Sequence, residues 1–351
     1  MYEDLAKGCL EVGLAVRKAV NDLPRSRRGN LGTSLLKPSA GQKCAMADIV
    51  GEQAGFEVLE RLSSEVRYPI HVFPNEPFSS PPVIIGGNGE VPGRDYVIWC
   101  SFDAVDGTVK VAGLGNDPTN NIYRVGGNGF WGAGIALTVP TKKCLEDLTI
   151  GDFEIAALVE GNPQRYRSHP TNAVCWPDPE GMGGTSQTFE MDEYGNTGWN
   201  LLSTSSQTNI SQSMINFEAF QAYDRKTARD GSEQLANAIF PLLINRNEGG
   251  AFDIVRFYAN ISEVLCQLLE RKDGGIEPQG AGAITLNENY ASLIPFVPII
   301  EGAGGSVVEF SGKPMSEHYL RDPRPDSIIA ANDSIAKSIL SIVEIAKSDV
   351  R

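Results

Sequence analysis

An apolar run, Tyr96 to Phe102, ends in two carboxylates three residues apart, Asp103 and Asp106, with Gly107-Thr108 directly behind them. This segment, Trp99-Cys100-Ser101-Phe102-Asp103-Ala104-Val105-Asp106-Gly107-Thr108, constrains the fold more than any other. The run reads as a buried strand, and a carboxylate carried into a buried strand end is costly to desolvate unless something answers its charge. Two answers are open at this point. A bound cation would relieve the pair, or the acids cap a turn by accepting backbone N–H groups.

The rest of the chain bounds the setting. Its 351 residues suffice for two domains of ordinary size. With 41% hydrophobic and 21% charged residues spread through the chain, it can bury a core and is not a disordered tail. The formal charge of −14 repels phosphodiester backbones, which argues against nucleic acid as partner. An anionic small substrate remains compatible where bound cations invert the local field. The cysteines Cys9, Cys44, Cys100, Cys144, Cys175 and Cys266 form no CxxC pair, which points to reduced thiols and a cytoplasmic protein. The start, Met1-Tyr2-Glu3-Asp4, is acidic where a secretory leader is basic. No stretch approaches the ~20 apolar residues of a membrane span.

Periodicity sets the order of elements. Leu5, Cys9, Val12, Val16 and Ala19 predict an amphipathic helix over Leu5 to Val20, ended by Pro24 and the basic cluster Arg25 to Arg28. Gln42 to Val66 reads as a second helix. Ile70-His71-Val72-Phe73 is a short strand, and Tyr96 to Phe102 is the strand that delivers Asp103, with Asp106 following after a turn. Gly134 to Val139 and Phe153 to Val159 are expected strands, and residues 160 to 200 continue the sheet. Past residue 205 the pattern alternates. Helices are expected over Glu233 to Leu243, Asn260 to Leu269 and Ser334 to Ile345, and strands over Ile254 to Phe257 and Ser306 to Phe310. The division is residues 1–205, a helix pair plus mainly antiparallel sheet carrying the site, and 206–351, an α/β domain contributing substrate contacts.

Three motifs carry little. Gly127-Asn128-Gly129-Phe130-Trp131-Gly132 matches GxGxxG, but strand-like sequence follows where a dinucleotide site needs a helix, so it reads as a turn. No GxxxxGK[ST] loop is present. His71, His169 and His318 stand isolated and are read as structural or surface residues.

Glu76 gives the acid pair its context. It too follows a short apolar strand, and if the strands are neighbours, Glu76, Asp103 and Asp106 converge at one sheet end. Carboxylates so gathered suit magnesium, which keeps positions for water and phosphate oxygens. Two such ions polarise a phosphate and activate a water for in-line attack.

These residues carry a resemblance. Asp103-Ala104-Val105-Asp106-Gly107-Thr108 resembles the D-P-[I/L]-D-G-T signature of the inositol monophosphatase and fructose-1,6-bisphosphatase superfamily. Tyr68-Pro69-Ile70-His71-Val72-Phe73-Pro74-Asn75-Glu76 is similar to its Y-P-x-H-x-F-I-G-E segment. Glu301-Gly302-Ala303-Gly304-Gly305 is similar to E-A-G-G, and Ile328-Ile329-Ala330-Ala331-Asn332 to the strand before its last helix. The resemblance implies a layered α-β-α-β-α sugar-phosphatase fold of α/β (α+β) class and magnesium-dependent hydrolysis of a small phosphomonoester. The substrate would be a sugar, cyclitol or nucleotide-like phosphate, and the chain a homodimer. It further implies that Glu76, Asp103 and the Val105 carbonyl bind one metal, and that Asp106 shares a second with Asp103. Glu76 and Thr108 would serve catalysis, Thr108 by orienting the attacking water. The Gly107 and Thr108 amides would hold the phosphate. Lys110 either reaches that phosphate or is a solvated loop lysine.

Two departures stand out. The family's helix pattern D-x-V-T-x-x-D is met by Asp48-Ile49-Val50-Gly51-Glu52-Gln53-Ala54, so its second Asp falls on Gln53 or Ala54. The family's second-metal acid falls on Ser292, with Glu288 one helical turn away as a substitute. A specialised phosphatase is therefore expected. The alternative is an altered member that binds a phosphorylated ligand or a partner, or does other chemistry on a phosphorylated substrate.

Overall fold

The computed structural model describes residues 1–28, 31–34, 36, 44–74, 77–86, 95–106, 131–161, 170–177, 186–191, 199–206, 208–219, 222, 229–244, 254–256, 268–271 and 280–350. The chain opens with helix α1 (Tyr2–Asp22), whose buried stripe includes Leu5, Cys9, Val12, Val16 and Val20. The short α2 (Arg25–Arg28) follows, so the basic cluster is itself one helical turn. A two-residue ladder, β1 (Leu31–Gly32) against β2 (Cys44–Ala45), leads into α3 (Met46–Val66). The second helix thus starts at Met46 rather than Gln42, because Cys44 and Ala45 are in strand pairing. It stops at Arg67, which takes a left-handed φ of 61° and donates its N–H to the Ser63 carbonyl. Such a residue closes a helix, and Pro69 biases Tyr68 toward extended backbone.

That exit feeds β3 (Ile70–Val72) and β4 (Val83–Ile85), then β5 (Ile98–Asp106), β6 (Gly132–Leu137), β7 (Ile155–Glu160), β8 (Asn172–Pro177), β9 (Ser186–Met191) and β10 (Trp199–Thr204). Next come β11 (Met214–Glu218), α4 (Ser232–Ile244), β12 (Ile254–Arg256), β13 (Leu269–Arg271) and β14 (Gly280–Thr285). Helices α5 (Tyr290–Leu293) and α6 (Phe296–Gly302) precede β15 (Ser306–Glu309), β16 (Ser327–Ala330) and α7 (Asp333–Val350). Leu269, expected to end a helix, lies in strand β13, which pairs antiparallel with β10.

Among the described residues the strands form two large sheets. One runs β13-β10-β9-β8-β7-β6-β5-β3-β4, antiparallel except where β3 lies parallel to β5. The other runs β12-β11-β14-β16-β15, with β12, β11 and β14 parallel. Three apolar cores alternate with them. Helices α1 and α3 cover one face of the large sheet, burying Leu5, Leu59, Phe102, Ile135 and Val159 together. Helices α5 and α6 lie between the two sheets, where Leu158, Leu293, Ile299, Val307 and Ile329 share one core. Helices α4 and α7 cover the far face of the second sheet through Ile239, Phe217, Ile284, Ile335 and Ile339. The result is the layered α-β-α-β-α arrangement that the motifs imply.

Packing of α3 on β5 is unusually close. A methyl group built on Gly55 would stand 2.3 Å from the Phe102 ring, so only glycine lets this helix settle on that strand. The same approach carries the N-terminal turns of α3 to the end of β5 that bears the acids.

Candidate active site

Both aspartates lie inside β5. The expected turn between Asp103 and Asp106 is instead a β-bulge. Asp103 stands opposite Gly134 of β6 and Asp106 opposite Gly132, so three steps on β5 match two on β6. Side chains alternate along a strand, and residues three apart would point to opposite faces. One inserted residue restores the phase. Ala104 and Val105 both join the helix-side core, and a Cβ on Gly51 of α3 would lie 3.3 Å from each. Asp103 and Asp106 consequently share the other face, toward α5, and each is paired with a glycine that adds no side chain beside it.

Asp103 is 5% exposed. Its Oδ2 accepts a 2.6 Å hydrogen bond from the Ser292 hydroxyl of α5. Asn289 caps that helix by accepting the Ser292 N–H at 2.9 Å. Glu288 precedes the cap, and its Oε1 accepts both the backbone N–H and the side-chain amide of Asn289 at 3.0 Å. Burial pushes the Glu288 carboxyl up to about 8, helped by the neighbouring charges of Glu218 and Asp103 and opposed by the Asn289 N–H and by Arg324. Glu288 therefore feels carboxylates from two distant places in the chain. Glu218, at the C-terminal end of β11, has no local motif to announce it. Only the parallel pairing of Glu218 with Thr285 of β14 brings it beside the turn that carries Glu288.

The acid expected near Gln53 or Ala54 is at neither. Gln53 is exposed and Ala54 half-buried. Asp48, one turn before Gly51, is 3% exposed, and helical spacing puts it on the face that meets the bulge. Glu52, also buried, accepts a hydrogen bond from the Ser34 hydroxyl.

Asp103, Val105, Asp106, Glu288 and Ser292 are thus placed around one strand end. Glu76, Gly107, Thr108 and Lys110 lie outside the described residues, as does His169. Among the described residues, no group of three or more His, Cys, Asp or Glu side chains is close enough to hold a metal ion.

Neither any protein-family model nor any curated protein matches this sequence. Solved structures do. An inositol monophosphatase from Zymomonas mobilis aligns over 98% of each chain with a TM-score of 0.53 and 12% identity. The extragenic suppressor protein SuhB from Bartonella henselae aligns over 97% of each chain, with a TM-score of 0.56 and 13% identity. The fructose-1,6-bisphosphatase of Leishmania major aligns over 97% of this chain and 92% of its own, with a TM-score of 0.52 and 14% identity. This chain has the inositol monophosphatase fold.

Within that fold His71 and His318 find ordinary partners. His71 meets the Trp99 ring edge-on at 5.2 Å. His318 is buried between Glu309, 2.9 Å from Nδ1, and the Tyr290 hydroxyl, 3.0 Å from Nε2. Cys9, Cys100 and Cys175 are buried free thiols and Cys144 an exposed one; burial pushes the Cys9 and Cys100 thiols up, away from reactive thiolate. Among the described residues no helix is long and apolar enough to cross a membrane.

Proposed function

We propose that this chain is a magnesium-dependent phosphatase acting on a small phosphomonoester, a sugar, cyclitol or nucleotide-like phosphate. The observation that carries the reading is the bulge, which turns an i, i+3 acid pair into two carboxylates on one face with α5 opposite. The donors suit a hard cation, since all are oxygens. The burial of Glu288 beside the charges of Glu218 and Asp103 supplies the electrostatic demand, and a nearby cation would reverse the rise at Glu288.

In this reading Glu76, Asp103 and the Val105 carbonyl hold one cation. Asp103 and Asp106 share another, and Glu288 would complete it by closing toward them in place of the acid absent at Ser292. Bound divalent cations supply positive charge to phosphate oxygens and lower the pKa of a water. The chain's own groups do the remainder. Ser292 fixes the Asp103 carboxylate, and the Gly107 and Thr108 amides, with Lys110, hold the phosphate. Thr108 and Glu76 orient the attacking water, and Asp48 of α3, the first acid of the helix pattern, assists them in place of the missing second.

The test is release of phosphate from a panel of sugar, inositol and nucleotide phosphates with magnesium, comparing wild type with Asp106→Asn. Release that falls about a hundredfold or more in the variant supports the reading, on the scale of losing one electrostatic contact to the transition state. No release from any member of the panel sinks it. Ser292 in place of an acid favours a second reading, a ligand-binding member that has lost hydrolysis. Calorimetric binding of a phosphorylated compound without turnover would select it.

A further inference from the structure

Strands β14 and β16 are antiparallel neighbours, with Thr285 opposite Ser327 and their hydroxyl oxygens 2.6 Å apart. Beyond that pair the two chains separate. On one side the backbone leaves β14 through Leu286 and turns at Asn287, which takes a left-handed φ of 56°. Asparagine tolerates that region better than most residues. On the other side Asp326 stands just ahead of β16, where the ladder directs it at the turn. Its Oδ1 accepts the Asn287 N–H at 2.9 Å. Arg229, just ahead of α4, donates to the same oxygen. Arg324 donates to the Asn287 carbonyl at 3.5 Å.

Asn287 is 2% exposed, so its backbone groups need protein partners. Both come from side chains outside the turn. The next residues along the chain form the α5 side of the site: Glu288, then the capping Asn289, then Ser292 on Asp103. The direction in which Glu288 leaves the sheet therefore depends on how Asn287 is held.

We propose that Asp326 is a positioning residue for the candidate metal site, acting by holding the left-handed turn at Asn287 from which Glu288 and Ser292 are aimed at Asp103. Asp326 touches neither Asp103 nor Glu288 among these contacts, and no motif in the sequence points to it. The inference rests on the phosphatase reading only for what the aimed groups bind.

The experiment compares wild type, Asp326→Ala and Asp326→Asn. The asparagine keeps the acceptor oxygen and removes the charge. Manganese binding, read by loss of the free-ion paramagnetic resonance signal, is expected to weaken by about tenfold or more in Asp326→Ala, the range for residues that orient metal ligands. Asp326→Asn should stay within about threefold of wild type on the same scale. Equal binding by wild type and Asp326→Ala overturns the proposal, as does an Asp326→Asn as weak as Asp326→Ala. Absence of manganese binding by wild type itself overturns the metal reading instead. In that case amide hydrogen exchange of the metal-free protein decides. Exchange at residues 287–292 is expected to rise by about tenfold in Asp326→Ala but not in Asp326→Asn, because the turn opens locally. Unchanged exchange there overturns the positioning role.

Discussion

Ser292 donates its hydroxyl to Asp103 across 2.6 Å, although the two residues are 189 positions apart in the chain. The bond ties α5 to β5, and so links the helices between the sheets to the strand that carries the acids. Because Asp103 is buried, the oxygen that receives this bond has little water to fall back on. Replacing Ser292 by alanine is expected to destabilise the metal-free protein by about 1–3 kcal/mol, the range for stranding a buried partner. Urea unfolding in chelator measures it.

Ser292→Asp works in the opposite sense. It restores the family's acid and adds a carboxylate beside Asp103 and Glu288. The metal-free variant should melt below wild type. Magnesium should raise its melting temperature more than it raises that of wild type, since a ligand bound only by the native state stabilises it. Thermal unfolding with and without magnesium checks both halves.

Glu288 predicts a pH dependence. Its folded-state carboxyl is raised to about 8 against an ordinary 4.5, so between these values the folded protein binds more protons than the unfolded chain. Stability then falls as pH rises through this window, and the loss is complete above the folded value. The metal-free protein should be more stable at pH 5 than at pH 8 from this group, and Glu288→Gln should remove that part of the slope. Unfolding midpoints across the range report it. A slope unchanged by the substitution would show that Glu288 is not its source.

Gly51 sits where α3 meets the bulge. A Cβ there would stand 3.1 Å from Val16 and 3.3 Å from both Ala104 and Val105. Gly51→Val is expected to destabilise by about 1–3 kcal/mol through overpacking. The strain falls on the bulge, so the variant should also lose the proposed phosphatase activity, which separates it from an ordinary core defect.

Asp48→Asn tests the helix acid. If Asp48 assists the attacking water, kcat should fall by roughly a hundredfold, the middle of the range for acid–base assistance. Manganese affinity should stay near that of wild type. A parallel loss of both would make Asp48 part of the metal site instead.

Much of this was legible in the chain. The stripe of Leu5, Cys9, Val12 and Val16, the run ending at Asp103 and the motif order imply the helix pair, the central strand and the layered fold. Periodicity reports such features because each depends on near neighbours. Its misreadings have one cause as well. Cys44 and Ala45 look helical until β1 pairs with β2, and Leu269 until β10 claims it. Ladder partners far along the chain overrode local preference.

The sequence by itself determined the donor chemistry: Asp103 and Asp106 at a strand end, with Glu76, Glu288 and Ser292 as the groups to account for. Tertiary structure alone decided how Asp103, Asp106, Glu288 and Ser292 are placed. A single inserted residue opposite β6 brought the two aspartates to one face, since parity along a strand is set by its partner. Packing of α3 through Gly51 turned Ala104 and Val105 away from that face. Glu218 and Asp326 entered only because strands β11, β14 and β16 lie side by side, and long-range pairing leaves no periodic trace in the residues it joins.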